Sequence, residues 1–297
     1  MKIEQHEKNV HVLKLKGNKC QIAMLSDLHW DNPKCDWKIL KRDLDYCVKE
    51  SIPIMINGDM FCLMQGQGDR RKNKSDIRPE HNNSKYLDSI VETAVEWWSP
   101  YSHLLTVIGY GNHETAIIKW QETDILARFV KLLNLKNHTN VQVGGYGGWL
   151  IVNSIVREKP EGQRGSSRSI KIKYFHGSGG GGVVTKGALN LTRAMEMYED
   201  FDVFTMGHIH ENAARNDARD TIVQGGDTYR HNQKQLHMCL TGTYKEEYGT
   251  GSKGWHVERG APIKPVGGRI LTIDYKRIRG TKVDRYDRQV DSCKFPL

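Results

Sequence analysis

Apolar and polar residues alternate over positions 11–16, His-Val-Leu-Lys-Leu-Lys, which predicts a half-buried strand closed by a turn at Gly17-Asn18. Residues 21–25 form a short apolar run and predict a buried strand, as do residues 52–56 and 104–108. Between these runs the period changes. From 37 to 50 the apolar positions Trp37, Leu40, Leu44 and Cys47 share one helical face, a second helix is predicted from about Ser84 into Trp97-Trp98, and a third over 115–133. Alternation of strand and helix predicts an α/β core, with functional groups on loops beyond the strand C-termini.

The second half has a different rhythm. Residues 141–143 and 149–152, separated by the glycine-rich stretch 144–148, predict a hairpin with a long loop. A strand over 170–175, a helix over 189–198 and a strand over 203–206 follow, and 236–241 and 269–275 predict strands of a second sheet. No internal repeat is evident. The expected organisation is one domain over 1–297 with three loop insertions, at 65–83, 158–169 and 243–268. Long loops in a compact domain are commonly functional or disordered.

Composition narrows the class. With 297 residues, 38% hydrophobic and 27% charged, the chain is long enough to bury a sizeable core and ordinary for a globular protein. No apolar stretch approaches the roughly 18 residues that span a bilayer, so no membrane partner is expected. The charged start, Met1 to Lys8, lacks an apolar signal core. Six scattered cysteines without paired spacing predict neither a disulfide framework nor a structural zinc site, and a cytoplasmic location is expected. A formal net charge of +9 favours a polyanionic partner. One basic cluster is Arg70-Arg71-Lys72-Asn73-Lys74.

The candidate chemistry lies in five short segments: Asp27-Leu28-His29, Gly58-Asp59, Gly111-Asn112-His113-Glu114, His176-Gly177 and Gly207-His208-Ile209-His210. Carboxylates beside imidazoles suit Mn²⁺, Fe or Zn²⁺ better than Ca²⁺, which prefers all-oxygen shells. In this order the segments resemble the signature of the calcineurin-like metallophosphoesterase superfamily, from Ser26 to His210. The resemblance implies an α/β sandwich of two mixed sheets flanked by helices and two divalent ions, Mn²⁺ first, with Fe, Zn²⁺, Ni²⁺ or Mg²⁺ as alternatives. It implies that Asp27, His29 and His210 hold one ion, that Asn112, His176 and His208 hold the other, and that Asp59 bridges them. The implied reaction is hydrolysis of a phosphate ester by a hydroxide held between the ions, with His113 as the catalytic residue at the leaving-group oxygen.

The chain departs from that pattern at one place. Many members of the superfamily carry an acid or amide three residues after the bridging aspartate, where it orients the catalytic histidine; here Cys62 stands there. Either another acid from a loop takes over, or His113 acts without a partner. The glycine run 177–182 lacks the lysine and serine of a nucleotide-binding loop.

Three functions compete. A phosphodiesterase acting on DNA or RNA is favoured by the net charge, with Arg70, Arg71, Lys72, Lys74, Tyr244 and Trp255 as the expected substrate rim, since bases stack on aromatic rings. A phosphomonoesterase resembling the protein phosphatase branch matches Gly-Asn-His-Glu. That branch, however, clamps phosphate with two arginines, and this chain has Leu63 and Tyr110 at those places. A catalytically inactive scaffold is the third, disfavoured because every ligand position is filled.

Overall fold

The computed structural model describes residues 1–64, 72–157, 166–249, 255–258, 260, 262–278 and 285–296. Two mixed sheets form its centre. One has seven strands: β1 (Lys2–Glu7), β2 (Val10–Lys16), β7 (Gly147–Arg157), β8 (Ser166–Phe175), β9 (Val203–Met206), β11 (Thr228–Thr241) and β10 (Asn212–Gly225), in that spatial order. The other has six: β13 (Arg285–Lys294), β12 (Arg269–Ile278), β3 (Lys19–Leu25), β4 (Ile54–Asn57), β5 (Leu105–Gly109) and β6 (Gln142–Val143). The α/β sandwich of two mixed sheets flanked by helices is therefore what the chain builds.

Strand alternation sorts the core into layers, because successive side chains of a strand point to opposite faces. In β3, Ile22 and Met24 join Leu13, Leu150, Ile172 and Leu271 in one cluster that includes both sheets, while Ala23 and Leu25 turn the other way. In β4, Met55 belongs to that inter-sheet cluster and Ile54 and Ile56 to the opposite layer. That layer is covered by α1 (Trp37–Glu50), α2 (Tyr86–Trp98) and α4 (Ile125–Asn137), which contribute Leu44, Trp98 and Phe129. On the far face of the seven-stranded sheet, α5 (Ala188–Met197) packs Leu191 and Ala194 against Phe204, Met206 and Met238.

Three expectations need correction. Residues 141–143 and 149–152 do not form a hairpin: β6 pairs with β5 in the six-stranded sheet, while β7 pairs with β2 and β8 in the other. The glycines between them carry the chain across the sandwich. Residues 236–241 and 269–275 likewise fall in different sheets, and the first is only the base of a long hairpin, β10–β11, whose outer half is exposed. Polar alternation there carries no apolar face, so periodicity gave no strand signal. The helix expected over 115–133 is broken into α3 (Asn112–Gln121) and α4 at Glu122, a left-handed residue, and Asp124 caps the second piece through Ala127 N–H at 2.9 Å.

Of the three insertions, residues 166–169 are strand rather than loop, and 158–165 lie outside the described residues. Residues 72–83 hold two short 3₁₀ turns with Ile77 and His81 buried. In 243–268, Thr243, Tyr244 and Glu247 are buried.

Candidate metal centre

The parallel strands β3, β4 and β5 of one sheet, and β8 and β9 of the other, end at a common seam. Asp27 and His29 follow β3, Asp59 follows β4, Asn112 and His113 follow β5, His176 follows β8, and His208 and His210 follow β9. All the metal and catalytic positions expected from the sequence meet at this seam. Backbone hydrogen bonds stitch the loops together: Asp27 N–H donates to Gly58 O at 3.1 Å, His29 N–H to Asp59 O at 3.0 Å, and Gly207 N–H to His176 O at 3.0 Å.

Among the described residues three groups of side chains could hold a metal ion: Asp27, His29 and His210; Asp59, His176 and His208; and His29, Cys62 and His113, which shares His29 with the first. Asn112 Oδ1 lies 3.2 Å from His176 Nε2 and 2.8 Å from His208 Nδ1, so the amide joins the second group. Donor atoms face one another across the sites. His29 Nε2 is 3.4 Å from His210 Nε2, Asp27 Oδ1 is 3.4 Å from His210 Nε2, and His176 Nε2 is 3.3 Å from Asp59 Oδ2. Two nitrogens bound to one tetrahedral ion at about 2.0–2.1 Å are about 3.3–3.4 Å apart. The spacing fits, and the donor set is the mixture of carboxylate, amide and imidazole that a transition-metal ion accepts.

Backbone strain concentrates here. Asp27, His29, Asp59, His208 and His210 all adopt left-handed φ values, between 46° and 68°. Each costs on the order of 1–3 kcal/mol for a non-glycine residue and persists only where surrounding structure enforces it. Ser51, Glu122 and His138 share that conformation as ordinary helix C-caps. The site has no such excuse, and the reward is that five side chains point inward. The motif glycines have a different reason: a Cβ on Gly111 would lie 2.0 Å from Asp59 Oδ1, and one on Gly58 2.4 Å from His176 Nδ1.

Burial works against charge on both Asp59 and His176, but their mutual attraction outweighs it; Asp59 falls well below the usual carboxylate range and His176 rises to about 10. Burial and neighbouring His113 hold His29 well below its ordinary value, and burial with His176 lowers His208, so both are neutral imidazoles fit to ligate. Nδ1 of the buried His29 has no hydrogen-bond partner among the described residues.

The question left by Cys62 has a structural answer. The backbone carbonyl of Cys62, not its thiol, accepts from His113 Nδ1–H at 2.5 Å, which leaves Nε2 4.0 Å from Asp59 Oδ2. An acid does take part, one step removed. Asp31, buried, accepts from Cys62 N–H at 2.5 Å and Leu63 N–H at 2.9 Å and so fixes that carbonyl. Burial raises the Cys62 thiol to about 12, so it remains protonated where it groups with His29 and His113.

Sequence reasoning also missed a role for Glu114. Its carboxyl accepts from Gly111 N–H at 2.8 Å, Phe61 N–H at 2.9 Å and Asp59 N–H at 3.2 Å, tying the loops after β4 and β5 into one unit. Burial and the Asp59 charge raise it to about 8. Its place in Gly-Asn-His-Glu was visible; the partners were not, because they are backbone groups on another loop.

The substrate rim fares worse. Tyr244 is fully buried, with its hydroxyl 2.9 Å from Asp43 Oδ2, so it belongs to the core and cannot stack on a base. Its flanking polarity hid this: the polar partner it needs, Asp43, is itself on the buried face of α1. Lys72 and Lys74 are exposed, Arg70 and Arg71 lie outside the described residues, and Trp255 opens a short helix, Trp255–Glu258, with its side chain outside them too.

No family model matches the chain, and no curated protein does. Among solved structures, one described as GAP50, the anchor in the inner membrane complex of Plasmodium, is similar over 86% of this chain and 81% of its own, with a TM-score of 0.40 and 12% identity. Among the described residues no helix is long and apolar enough to cross a membrane.

Two outcomes follow from the geometry. Chelator-treated protein should lose stability as pH rises, through Glu114 from about 4.5 to its folded value of about 8 and through His176 from about 6.5 to about 10, because both hold protons in the folded chain that the unfolded chain releases. Metal loading should flatten that slope, since His176 ligates as the neutral ring; thermal melts across this range check it, and an identical slope with and without metal contradicts it. Gly111→Ala should abolish metal uptake in elemental analysis, as its methyl displaces the Asp59 carboxylate.

Proposed function

We propose that this chain is a dinuclear metal-dependent phosphoesterase, with phosphodiesters as its substrate class. The observation that carries the reading is the convergence of Asp27, His29 and His210 beside Asp59, Asn112, His176 and His208 at one seam between two sheets. Two divalent ions bound there would neutralise phosphoryl oxygens and lower the pKa of water toward neutrality. The resemblance of the five segments to the calcineurin-like metallophosphoesterase signature points the same way. Mn²⁺ is the proposed ion.

Within this reading each side chain has a task. Asp59 offers one oxygen to His113 N–H at 3.0 Å and turns the other toward His176, and its carboxylate would help to hold both ions. Asn112 supplies a neutral oxygen, which adds no negative charge where an anionic substrate must approach. His113, its Nδ1–H fixed on the Cys62 carbonyl, presents Nε2 to the leaving oxygen and delivers a proton there. A carbonyl holds the ring's orientation without the electrostatic support a carboxylate would give an imidazolium.

Support for a diester over a monoester comes from what surrounds the site. A terminal phosphate carries two charges and calls for arginine forks. Leu63 is buried at one of the expected positions, and at the other Tyr110 places its hydroxyl 2.5 Å from Asp124 Oδ2, so its hydroxyl is engaged at the start of α4. The nucleic-acid version of the reading loses Tyr244 and keeps the exposed Lys72 and Lys74.

Protein loaded with Mn²⁺ should turn over an aryl phosphodiester at least tenfold faster than the matching monoester. The reverse order would support the phosphatase reading, and no turnover of either with two ions bound would support an inactive scaffold. His113→Ala should retain both ions and lose on the order of 10²–10⁴-fold in kcat, less with a good leaving group than with a poor one. A loss independent of the leaving group would contradict proton delivery by His113.

A further inference from the structure

The group of His29, Cys62 and His113 has no task as a metal site in the reaction proposed above. Cys62 Sγ, one ring nitrogen of His29 and one of His113 all lie within 4.8 Å of one another. Around one tetrahedral ion, sulfur and nitrogen donors at about 2.3 and 2.0–2.1 Å stand roughly 3.5 Å apart, so small side-chain rotations close the group onto an ion. Local hydrogen bonds prepare the donors. Cys62 O accepts from His113 Nδ1–H at 2.5 Å, which fixes the tautomer and puts the lone pair on Nε2. A carbonyl in that place is a common support for a ligating imidazole. The Asn32 side-chain amide donates to Cys62 Sγ at 3.1 Å, a bond that strengthens when the sulfur becomes anionic. His29 is buried, and its Nδ1 has no hydrogen-bond partner among the described residues.

His29 also belongs to the group of Asp27 and His210, with its Nε2 3.4 Å from His210 Nε2. A neutral imidazole has one nitrogen lone pair, so His29 serves one ion at a time and the two groups compete. Their donors differ in kind. The Asp27 group offers a hard carboxylate and suits Mn²⁺. The Cys62 group offers a thiol and two imidazoles, with no carboxylate among them, and suits Zn²⁺ or Cd²⁺. A hard ion has little claim on a thiol that burial keeps protonated, whereas a soft ion displaces the proton. The S–H bond breaks, an S–metal bond forms, and the proton leaves to solvent.

We propose that His29, Cys62 and His113 form a site for a thiophilic divalent ion, Zn²⁺ or Cd²⁺, which draws His29 away from the Asp27 group and inactivates His113 by occupying its Nε2. The site stands on this geometry, and its effect on turnover rests on the phosphoesterase reading. An imidazole whose Nε2 lone pair is bound to a metal neither carries nor delivers a proton there. The departure of the chain at Cys62 therefore has a chemical consequence. A thiol in that place makes the centre sensitive to soft metals, and the choice between the two groups is set by the softness of the ion.

Cadmium is the probe, because a Cd²⁺–thiolate bond absorbs in the ultraviolet. The full chain is loaded with Mn²⁺ and carries Cys293→Ser, which removes the exposed cysteine. Added Cd²⁺ should raise that absorption to saturation at one ion per chain and displace one Mn²⁺, counted by elemental analysis. Cys62→Ser in this background should abolish the absorption, and an unchanged Mn²⁺ count before Cd²⁺ is added shows that the variant is folded. His113→Ala, a second variant that keeps the thiol, should weaken Cd²⁺ binding at least about tenfold. Full absorption in Cys62→Ser, or undiminished affinity in His113→Ala, overturns the site. Absorption gained with both Mn²⁺ ions retained overturns the competition for His29. Turnover of an aryl phosphodiester should fall in step with the absorption, and turnover retained at saturation overturns the inactivation of His113. Absence of turnover before Cd²⁺ is added contradicts the phosphoesterase reading and leaves the soft-metal site standing.

Discussion

The Asp59 carboxylate is 2% exposed at the meeting point of loops from both sheets, and the arrangement of the site depends on compensating its charge. His113 N–H, the His176 ring and the Glu114-anchored backbone all converge on it or on its loop. Removing one member of a buried charged pair costs about 3–5 kcal/mol, so each neighbour is held as firmly as Asp59 itself. Bringing five loops to one anion is what the parallel strands achieve: every strand that matters ends at the same edge of the sandwich, and the strained left-handed turns beyond them aim the side chains inward.

The same constraint explains the second layer. Among the described residues, Glu114 and Asp31 accept from backbone N–H groups of the loops that carry or flank the ligand groups. Asp31 fixes the Cys62–Leu63 turn, that turn presents a carbonyl, and the carbonyl sets the tautomer and direction of His113. A position filled elsewhere by an acid is served here by backbone plus a remote acid. Burial keeps the thiol of Cys62 protonated and lets it serve as an acceptor for Asn32.

What the sequence made legible was whatever depends on local pattern. The helix over Trp37–Glu50 matched its periodicity from end to end, since Leu40, Leu44 and Cys47 bury on one face. The proposed metal and catalytic positions came from the resemblance of the five segments to a known signature, and each of those segments follows a strand end. Illegible were features set by partners far away in sequence. Tyr244 is core because Asp43, two hundred residues earlier, accepts its hydroxyl proton. The hairpin β10–β11 lacks an apolar face because its outer half packs against nothing described, so no period-2 signal exists to read.

The central claim is that these two groups of side chains form a paired metal site. Anomalous diffraction from crystals of the full chain grown with Mn²⁺ tests it most directly. Two peaks about 3.5–4 Å apart are predicted, one among Asp27, His29 and His210, the other among Asn112, His176 and His208, with Asp59 between them. A single peak, or peaks away from these residues in metal-replete crystals, would contradict it.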